Sequence, residues 1–513
     1  MSSNDPPPSI YVRGILQAWS VFGARAMPPT WDGSSGAGGR LRETAGELQA
    51  NRFMKRALLL NLLLGASLAS AAPAADLTID FAKPLGKIKP LHGVCNGPFA
   101  CGENAKLEGY HAEAGFPYAR LHDVHWPCPD AVDVSTVFPL FEADPDNPKN
   151  YTFAKTDDYL AAIVGNKSEV IYRLGESIEP WTHYHNHPPE DFPKWARICV
   201  NIIRHYNEGW ARGFHHHIKY WEIWNEPEIS SMWTGTQQQY FEFYETAAKA
   251  IKAHDPSLKV GGPAATHINS ELIKPFLAWC RERRLPLDFL SWHAYYGVPE
   301  SLARDAATAR RLLDEYGFKT TESHLNEWRY LTTWAGLRPT EPKEYATVPE
   351  WFARSCRAEG AAFCATVLIR LQDSPVDVEC FYSADTSPWS MFGQFGVPTK
   401  VFYAFKAFNQ LAMLPNRVAC EDSMGQGIVG CAGLAADRKT AAVLVANFKS
   451  ESKTLAVALR NMPWAGKVRV ETYELDEVHN LEPASPEVLT SEGEALRLGL
   501  PSNAVRLVRL SPP

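Results

Sequence analysis

The chain has 513 residues, a length that suggests two structural units, one of them large enough to be a barrel. Its 45% hydrophobic and 21% charged content is that of a globular protein, and its formal charge of -7 gives no basic surface for nucleic acid. The 12% aromatic content, with 16 Trp, suits the flat C–H faces of sugars, although most aromatics in any barrel are core.

Residues 1–53, with PPP and GSSGAGG runs and no sustained periodicity, read as a disordered or untranslated extension. A new start is expected at Met54: the basic pair Lys55–Arg56, an apolar run from Ala57 to Leu68 and small residues after it have the layout of a secretory signal peptide over 54–75. The run is too short to span a bilayer. The mature chain is therefore expected to be secreted or periplasmic and free of the membrane. Export permits disulfides, and Cys95/Cys101 and Cys420/Cys431 are close enough in sequence to pair. Cys199, Cys280, Cys356 and Cys364 fall in helical patterns and read as buried thiols.

Leu77–Phe81 is a lead-in strand, within 76–90, expected to join a C-terminal β-sandwich. Strands then follow at Leu91–Val94 and Tyr118–Leu121, a helix at Thr156–Val164, a strand at Glu169–Leu174 and a helix at Phe192–Tyr206. The alternation continues with strand Tyr220–Trp224, helix Gln237–His254 behind a Thr236/Gln239 capping box, strand Lys259–Gly262 and helix Ser270–Arg284. Strand Phe289–His293, helix Leu302–Tyr316, strand Ser323–Asn326, helix Pro349–Leu371, strand Val378–Tyr382 and helix Val401–Leu411 complete it. Eight strands alternating with helices predict a closed (β/α)8 barrel over 91–411. A doubly wound sheet is the alternative, but no Gly-rich phosphate loop follows the first strand. Over 412–513 the short alternating runs AAVLVANF, TLAVAL, KVRVETYEL, ALRLGL and NAVRLVRL predict an antiparallel β-sandwich.

Chemistry concentrates in YWEIWNEPEI, 220–229. An apolar strand delivers Asn225 and Glu226 to its C-terminal end, where a barrel carries its active site, and Pro227 stops the ladder. Glu222, Trp224 and Glu226 alternate onto one side, and aromatic neighbours favour a protonated, acid-competent Glu226. The second carboxylate, Glu327 in HLNEW, ends the seventh strand, across the mouth from the fourth. Two carboxyls roughly 5–5.5 Å apart hydrolyse a glycosidic bond with retention, and a wider gap inverts. The histidine runs 215–217 and HYHNHPP (183–189) have no metal-ligand spacing, nor has any cysteine pair, so no metal or cofactor is expected.

WNEP (224–227), DFLSWHAY (288–295) and HLNEW (324–328), in this order, resemble clan A glycoside hydrolases, and family 39 most closely. The resemblance runs from about 77 to 411 through PLGKIKPLHGVCNGP, YARLHD, the stretch from Tyr240 to Ala264 and VPTKVFYAFKAFNQL. It implies a (β/α)8 barrel that acts on an oligosaccharide or glycoside, with β-xylosidases and α-L-iduronidases in the family. It implies Glu226 as acid/base and Glu327 as nucleophile, with His122, Asn225, His293 and Tyr295 binding the sugar. Arg120 is either a further ligand or a mouth ion pair that holds Glu327 ionised. Where the family carries a Trp after strand eight, this chain has Phe381, so Phe381 or Trp389 is expected to supply the sugar platform. The expected activity is exo-acting β-xylosidase-like hydrolysis. The alternatives are an α-L-iduronidase-like activity, for which Arg329 would grip the carboxylate, another β-glycosidase or endo-glycanase, and a non-catalytic carbohydrate-binding protein.

Overall fold

The computed structural model describes residues 75–98, 106–125, 128–178, 185–332, 346–422, 427–489 and 495–513, all in one compact unit. The extension at 1–53, the leader at 54–75 except Ala75, and Cys101 lie outside these residues.

After β1 (Leu77–Lys87) the chain forms β2 (Gly93–Cys95), α1 (Glu108–Ala114), β3 (Tyr118–Leu121), α2 (Val134–Val137), α3 (Ala154–Gly165) and β4 (Glu169–Leu174). It continues through α4 (Phe192–Glu208), β5 (Tyr220–Ile223), α5 (Gln237–His254), β6 (Lys259–Ala265), α6 (Ile273–Arg283) and β7 (Phe289–Tyr296). Then come α7 (Pro299–Glu315), β8 (Glu322–Tyr330), α8 (Thr347–Cys356), α9 (Ala358–Arg370), β9 (Val378–Phe381) and α10 (Lys400–Ala412). Strands β2 to β9 close in order into the expected parallel barrel, sealed where Gly93 and Val94 of β2 pair Cys380 and Phe381 of β9. At that seam a Cβ on residue 93 would fall 2.2 Å from the Glu379 carbonyl oxygen, so only glycine closes it.

Helix α5 shows how local signals and burial combine. Gln239 N–H donates to Thr236 Oγ1 at 3.2 Å and Thr236 N–H to Gln239 Oε1 at 2.9 Å, so the capping box ties down two end donors. Its buried residues Tyr240, Phe241, Tyr244, Ala247 and Ile251 recur at helical spacing and face the barrel wall. The single helix expected from Pro349 to Leu371 is instead two, α8 and α9, broken at Arg357, whose backbone is extended (φ -91°, ψ -166°). The chain turns back so tightly there that a Cβ at Gly360 would lie 1.9 Å from the Ser355 carbonyl oxygen. Apolar periodicity runs through the break and cannot reveal it.

The C-terminal strands are β10 (Asn416–Asp422), β11 (Ile428–Leu434), β12 (Ala441–Asn447), β13 (Lys453–Arg460) and β14 (Val468–Leu475). They are followed by β15 (Asn480–Pro483), β16 (Glu487–Leu489), β17 (Leu496–Leu500) and β18 (Ala504–Ser511). With β1 they form one ten-stranded sheet that curls over its own core of Leu77, Val443, Val457, Leu498 and Val508. β1 lies antiparallel to β10 and parallel to β13, so a strand that precedes the barrel completes a layer that follows it. The outer face of β11, β12 and β18, including Leu444 and Leu507, packs into the barrel's helical layer. β12 is therefore buried on both faces, which is why it reads as a continuous apolar run.

Neither disulfide allowed by sequence proximity forms, because Cys95 and Cys431 carry free thiols. Cys95 points into the barrel, where its thiol donates to the Asn326 carbonyl at 3.2 Å. Cys420 and Cys431 belong to opposite faces of the curled sheet, one in its inner core and the other in the layer against the barrel. Cys128 is disulfide-bonded. Cys199, Cys280 and Cys364 are buried free thiols, whereas Cys356 is partly exposed.

Candidate active site

The barrel interior is apolar at one end and charged at the other. Tyr220, Phe289 and Val378 fill the lower part. Strand alternation places Arg120 above Tyr118 and Glu222 above Tyr220, and these two buried charges meet at 2.7 Å. All three nitrogens of Arg120 are used: Nε donates to Glu222 Oε2, Nη1 to Glu327 Oε2 at 3.0 Å and Nη2 to Asn225 Oδ1 at 2.6 Å. Asn326 Nδ2 donates to the other Glu222 oxygen. With both residues fully buried, this pair is a fixed platform under the mouth rather than a surface for ligand.

Two backbone irregularities then aim the carboxylates. In β8 the register slips between Leu325 and Trp328 against β9, and against β7 at the step from Trp292 to His293. This is a β-bulge: it lets Asn326 and Glu327, consecutive residues, both point inward, while Trp328 turns out against Phe405. Beyond β5, Trp224 (φ 71°) and Glu226 (φ 43°) adopt left-handed backbone conformations that non-glycine residues rarely hold. Glu226 N–H donates to the Ala264 carbonyl at 3.0 Å, which holds the turn, and Trp224 swings out to donate its Nε1 to the Met232 carbonyl at 3.0 Å. The alternation expected for Glu222, Trp224 and Glu226 therefore breaks at Trp224. Such strain at a buried carboxylate is what a functional site stores.

The carboxylates meet around His293. Its Nδ1 lies 2.7 Å from Glu226 Oε1 and its Nε2 3.7 Å from Glu327 Oε2. One ligating atom from each of these three residues falls within 4.8 Å of the others. The Tyr295 hydroxyl donates to the second oxygen of Glu327. Burial, followed by the negative charge of Glu327, pushes the Glu226 carboxyl well above the usual carboxylate range. Burial, followed by the positive charge of Arg120, pushes His293 far below its ordinary value, so its ring is neutral. Burial and Glu327 likewise keep Tyr295 a phenol. Glu226, His293 and Glu327 form the one group with metal-ligand spacing among the described residues. The Arg120 guanidinium at 3.0 Å from Glu327 opposes a cation there.

The remaining expected residues separate. His122 lies at the mouth, where Nδ1 accepts from Arg173 Nε at 3.2 Å; Arg173 in turn pairs with Asp133 at 2.7 Å. Asn225 is held by Arg120, as described above. Trp389 lies 6.2 Å from Tyr295, centroid to centroid, and lines the mouth with Tyr382. Phe381, expected as an alternative platform, points the other way: it packs on Trp328 and Phe405 in the layer between strands and helices. The last residue of β9 is on the outward phase of the strand, because Cys380 before it faces in. Arg329, considered for a substrate carboxylate, is 1% exposed and donates to the Tyr382 carbonyl and Ser355 Oγ.

Sequence reasoning missed a second polar cluster. Asp385 in the loop after β9 accepts from Asn96 Nδ2 at 3.0 Å, Ser383 Oγ at 2.8 Å and Ser387 N–H at 3.0 Å, and faces His125 Nδ1 at 3.1 Å. It ties the loops after β2, β3 and β9 together around the mouth. Its residues lie almost 300 positions apart in sequence, so no local pattern could bring them together.

A parallel barrel whose C-terminal mouth holds two buried carboxylates on either side of a histidine is the arrangement of a glycoside hydrolase. The chain belongs to the glycosyl hydrolases family 39, whose family model matches residues 77–405, from β1 into α10. It is 30% identical to a β-xylosidase of Geobacillus stearothermophilus over 258 residues, which is 44% of this chain and 47% of that protein. The chain thus spans about half the length of this relative. A β-xylosidase of Caldicellulosiruptor saccharolyticus is 27% identical over 372 residues, 65% of this chain and 71% of that protein. Among solved structures, a glucosidase from Croceicoccus marinus superposes with a TM-score of 0.73 at 25% identity, covering 86% of this chain and all of the other.

Proposed function

We propose that this hydrolase removes terminal neutral β-sugars, β-xylosides first among them, with net retention at the anomeric carbon. The observation that carries the reading is that one carboxylate oxygen each of Glu226 and Glu327 come within 4.8 Å of each other, a close approach that supports double displacement. Glu226, kept protonated by burial, gives its proton to the leaving oxygen while Glu327 attacks the anomeric carbon. Water then displaces the sugar from Glu327, and Glu226 takes the water's proton. A neutral His293 accepts from the acid form of Glu226 or donates to its carboxylate, and so serves both halves of the cycle. Arg120 and Tyr295 hold Glu327 in attacking position, and His122, Asn225 and Trp389 border the sugar.

The β-xylosidase relatives support the xyloside, and the acidic balance of the chain favours an uncharged substrate. An enclosed Arg329 lends no support to a uronate. Export is proposed from the leader at Met54, and the disulfide of Cys128 fits an oxidising compartment. The test is a screen of aryl β-glycosides with NMR of the first-formed anomer. β-Xyloside turnover with a β-first product is expected; an α-first product overturns retention. Glu327→Ala should abolish turnover and azide should restore glycosyl transfer, whereas an unaffected rate removes Glu327 from its role.

A further inference from the structure

The described residues enclose a second cavity on the same face of the barrel, one that neither Glu226 nor Glu327 lines. Its volume is about 290 Å³, near the small end of ligand pockets. Phe138, Trp195, Ile198 and Trp224 form a buried apolar floor. Around it stand Glu142, His185, His187 and Glu190, all exposed, with Phe141 and Glu176 in the wall. Trp224 precedes Glu226 by two residues, and its outward swing gives one strand end two products: an acid inside the mouth and a floor outside it. The division between the two is polar and rigid. Arg173 contacts His122 on the mouth side and Asp133 and Ser177 on the other, and their chain neighbours Val134 and Glu176 line the cavity.

We propose that this cavity is an accessory binding site for a neutral sugar unit, beside the catalytic mouth and separate from it. The inference rests on the reading of the chain as a retaining glycosidase. Glu142 and Glu190 line the cavity as exposed acids and no lysine or arginine lines it, the nearest cation being Lys194 at 5.4 Å over the Phe141 ring, so the lining disfavours phosphate, sulfate and uronate. The two histidines and the acids do not converge on a point: among the described residues only the catalytic trio brings three ligating atoms together. The cavity therefore lacks the geometry of a metal site. Acceptors spread around the accessible apolar surface of Phe141, Pro139 and Pro189 match a sugar ring, whose hydroxyls radiate in several directions while its C–H face is apolar. Glu176 adds to this match. Its two oxygens are held by Ser135 N–H at 3.1 Å and Ser135 Oγ, and burial and then Asp133 push it well above the usual range, so this wall favours an uncharged neighbour. A unit held here belongs to the part of a longer substrate that the catalytic mouth does not enclose.

The experiment separates the two sites by closing one. The enzyme is trapped covalently with a 2-deoxy-2-fluoro-β-xyloside and then titrated calorimetrically with xylobiose, with spermidine in a parallel titration. Failure to trap refutes the retaining reading and leaves the cavity to be titrated in Glu327→Ala, where two xylobiose per chain are expected and one overturns the inference. When trapping succeeds, the trapped enzyme is expected to bind one xylobiose. Phe141→Ala/His187→Ala should weaken that binding about tenfold or more while hydrolysis of a small aryl xyloside stays within about twofold of wild type. No binding by the trapped enzyme, binding unchanged in the double variant, or uptake of spermidine alone overturns the proposal.

Discussion

Replacing Arg120 with Met tests whether the buried charge platform carries both the stability of the barrel and the placement of Glu327. The substitution keeps the length of the aliphatic stem and deletes three hydrogen bonds, to Glu222, Glu327 and Asn225. Glu222 is fully buried and Glu327 is 6% exposed, so water cannot replace the guanidinium. Asn326 still holds Glu222 and Tyr295 still holds Glu327, which limits the damage. Removing one member of a buried ion pair costs about 3–5 kcal/mol, and that range is expected here. Arg120→Lys retains the charge but cannot reach three acceptors from one nitrogen, so it should recover about half of the loss. The assay is equilibrium unfolding in guanidinium chloride followed by tryptophan fluorescence, with midpoints compared at a common slope. Because Glu327 is also released from its fixed position, kcat/KM should fall about 100-fold or more. A stability loss below about 1 kcal/mol, or a folded Arg120→Met enzyme with full activity, would refute the reasoning.

Tyr295→Phe removes a single hydrogen bond to an ionised group, worth about 1.5–3 kcal/mol, so kcat/KM should drop roughly 10- to 100-fold with the fold intact by circular dichroism. Glu226 holds its proton more tightly folded than unfolded. The folded protein therefore binds more protons above the unfolded value near 4.5, and stability declines as pH rises toward the raised folded value. Glu226→Gln should abolish that decline, and the gap in melting temperature between variant and wild type should widen with pH. Asp385 has the opposite sign. Burial raises its carboxyl, but His125 and the loop hydrogen bonds prevail and lower it from 3.8 to about 2. Its contribution, about 2 kcal/mol, is present above pH 4 and lost as pH falls toward 2. Asp385→Asn should be less stable than wild type at neutral pH and should lack this acid-linked loss.

Alternation and capping were legible residue by residue. The strands Tyr118–Leu121 and Glu169–Leu174 and the helix Gln237–His254 match their expected bounds, because each is a short apolar run or a 3.6-residue pattern with explicit ends. The extension of β8 to Tyr330 was not, since its last residues include Glu327 and Arg329, polar groups that solvation would normally exclude from a strand. They are tolerated because Arg120 and Tyr295, on other strands, hold Glu327, while the Tyr382 carbonyl and Ser355 Oγ accept from the terminal nitrogens of Arg329. The outward turn of Phe381 was equally hidden: β-strand phase is set by closure of β9 onto β2, a contact between the two ends of the barrel.

By itself the sequence determined that a strand delivers Asn225-Glu226-Pro227 to the barrel mouth, that a second carboxylate lies on the seventh strand, and that β and α elements alternate into a barrel. These follow from local periodicity and from proline's missing donor. Only the tertiary structure decided that Asn326 and Glu327 both face inward, that Arg120 lies beneath the mouth, that His293 stands between the acids with its hydrogen bond to Glu226, and that Trp224 floors a separate cavity. Each depends on register between strands or on a left-handed residue held by distant neighbours. Such features are energetically unfavourable alone and stable only once the barrel has closed around them.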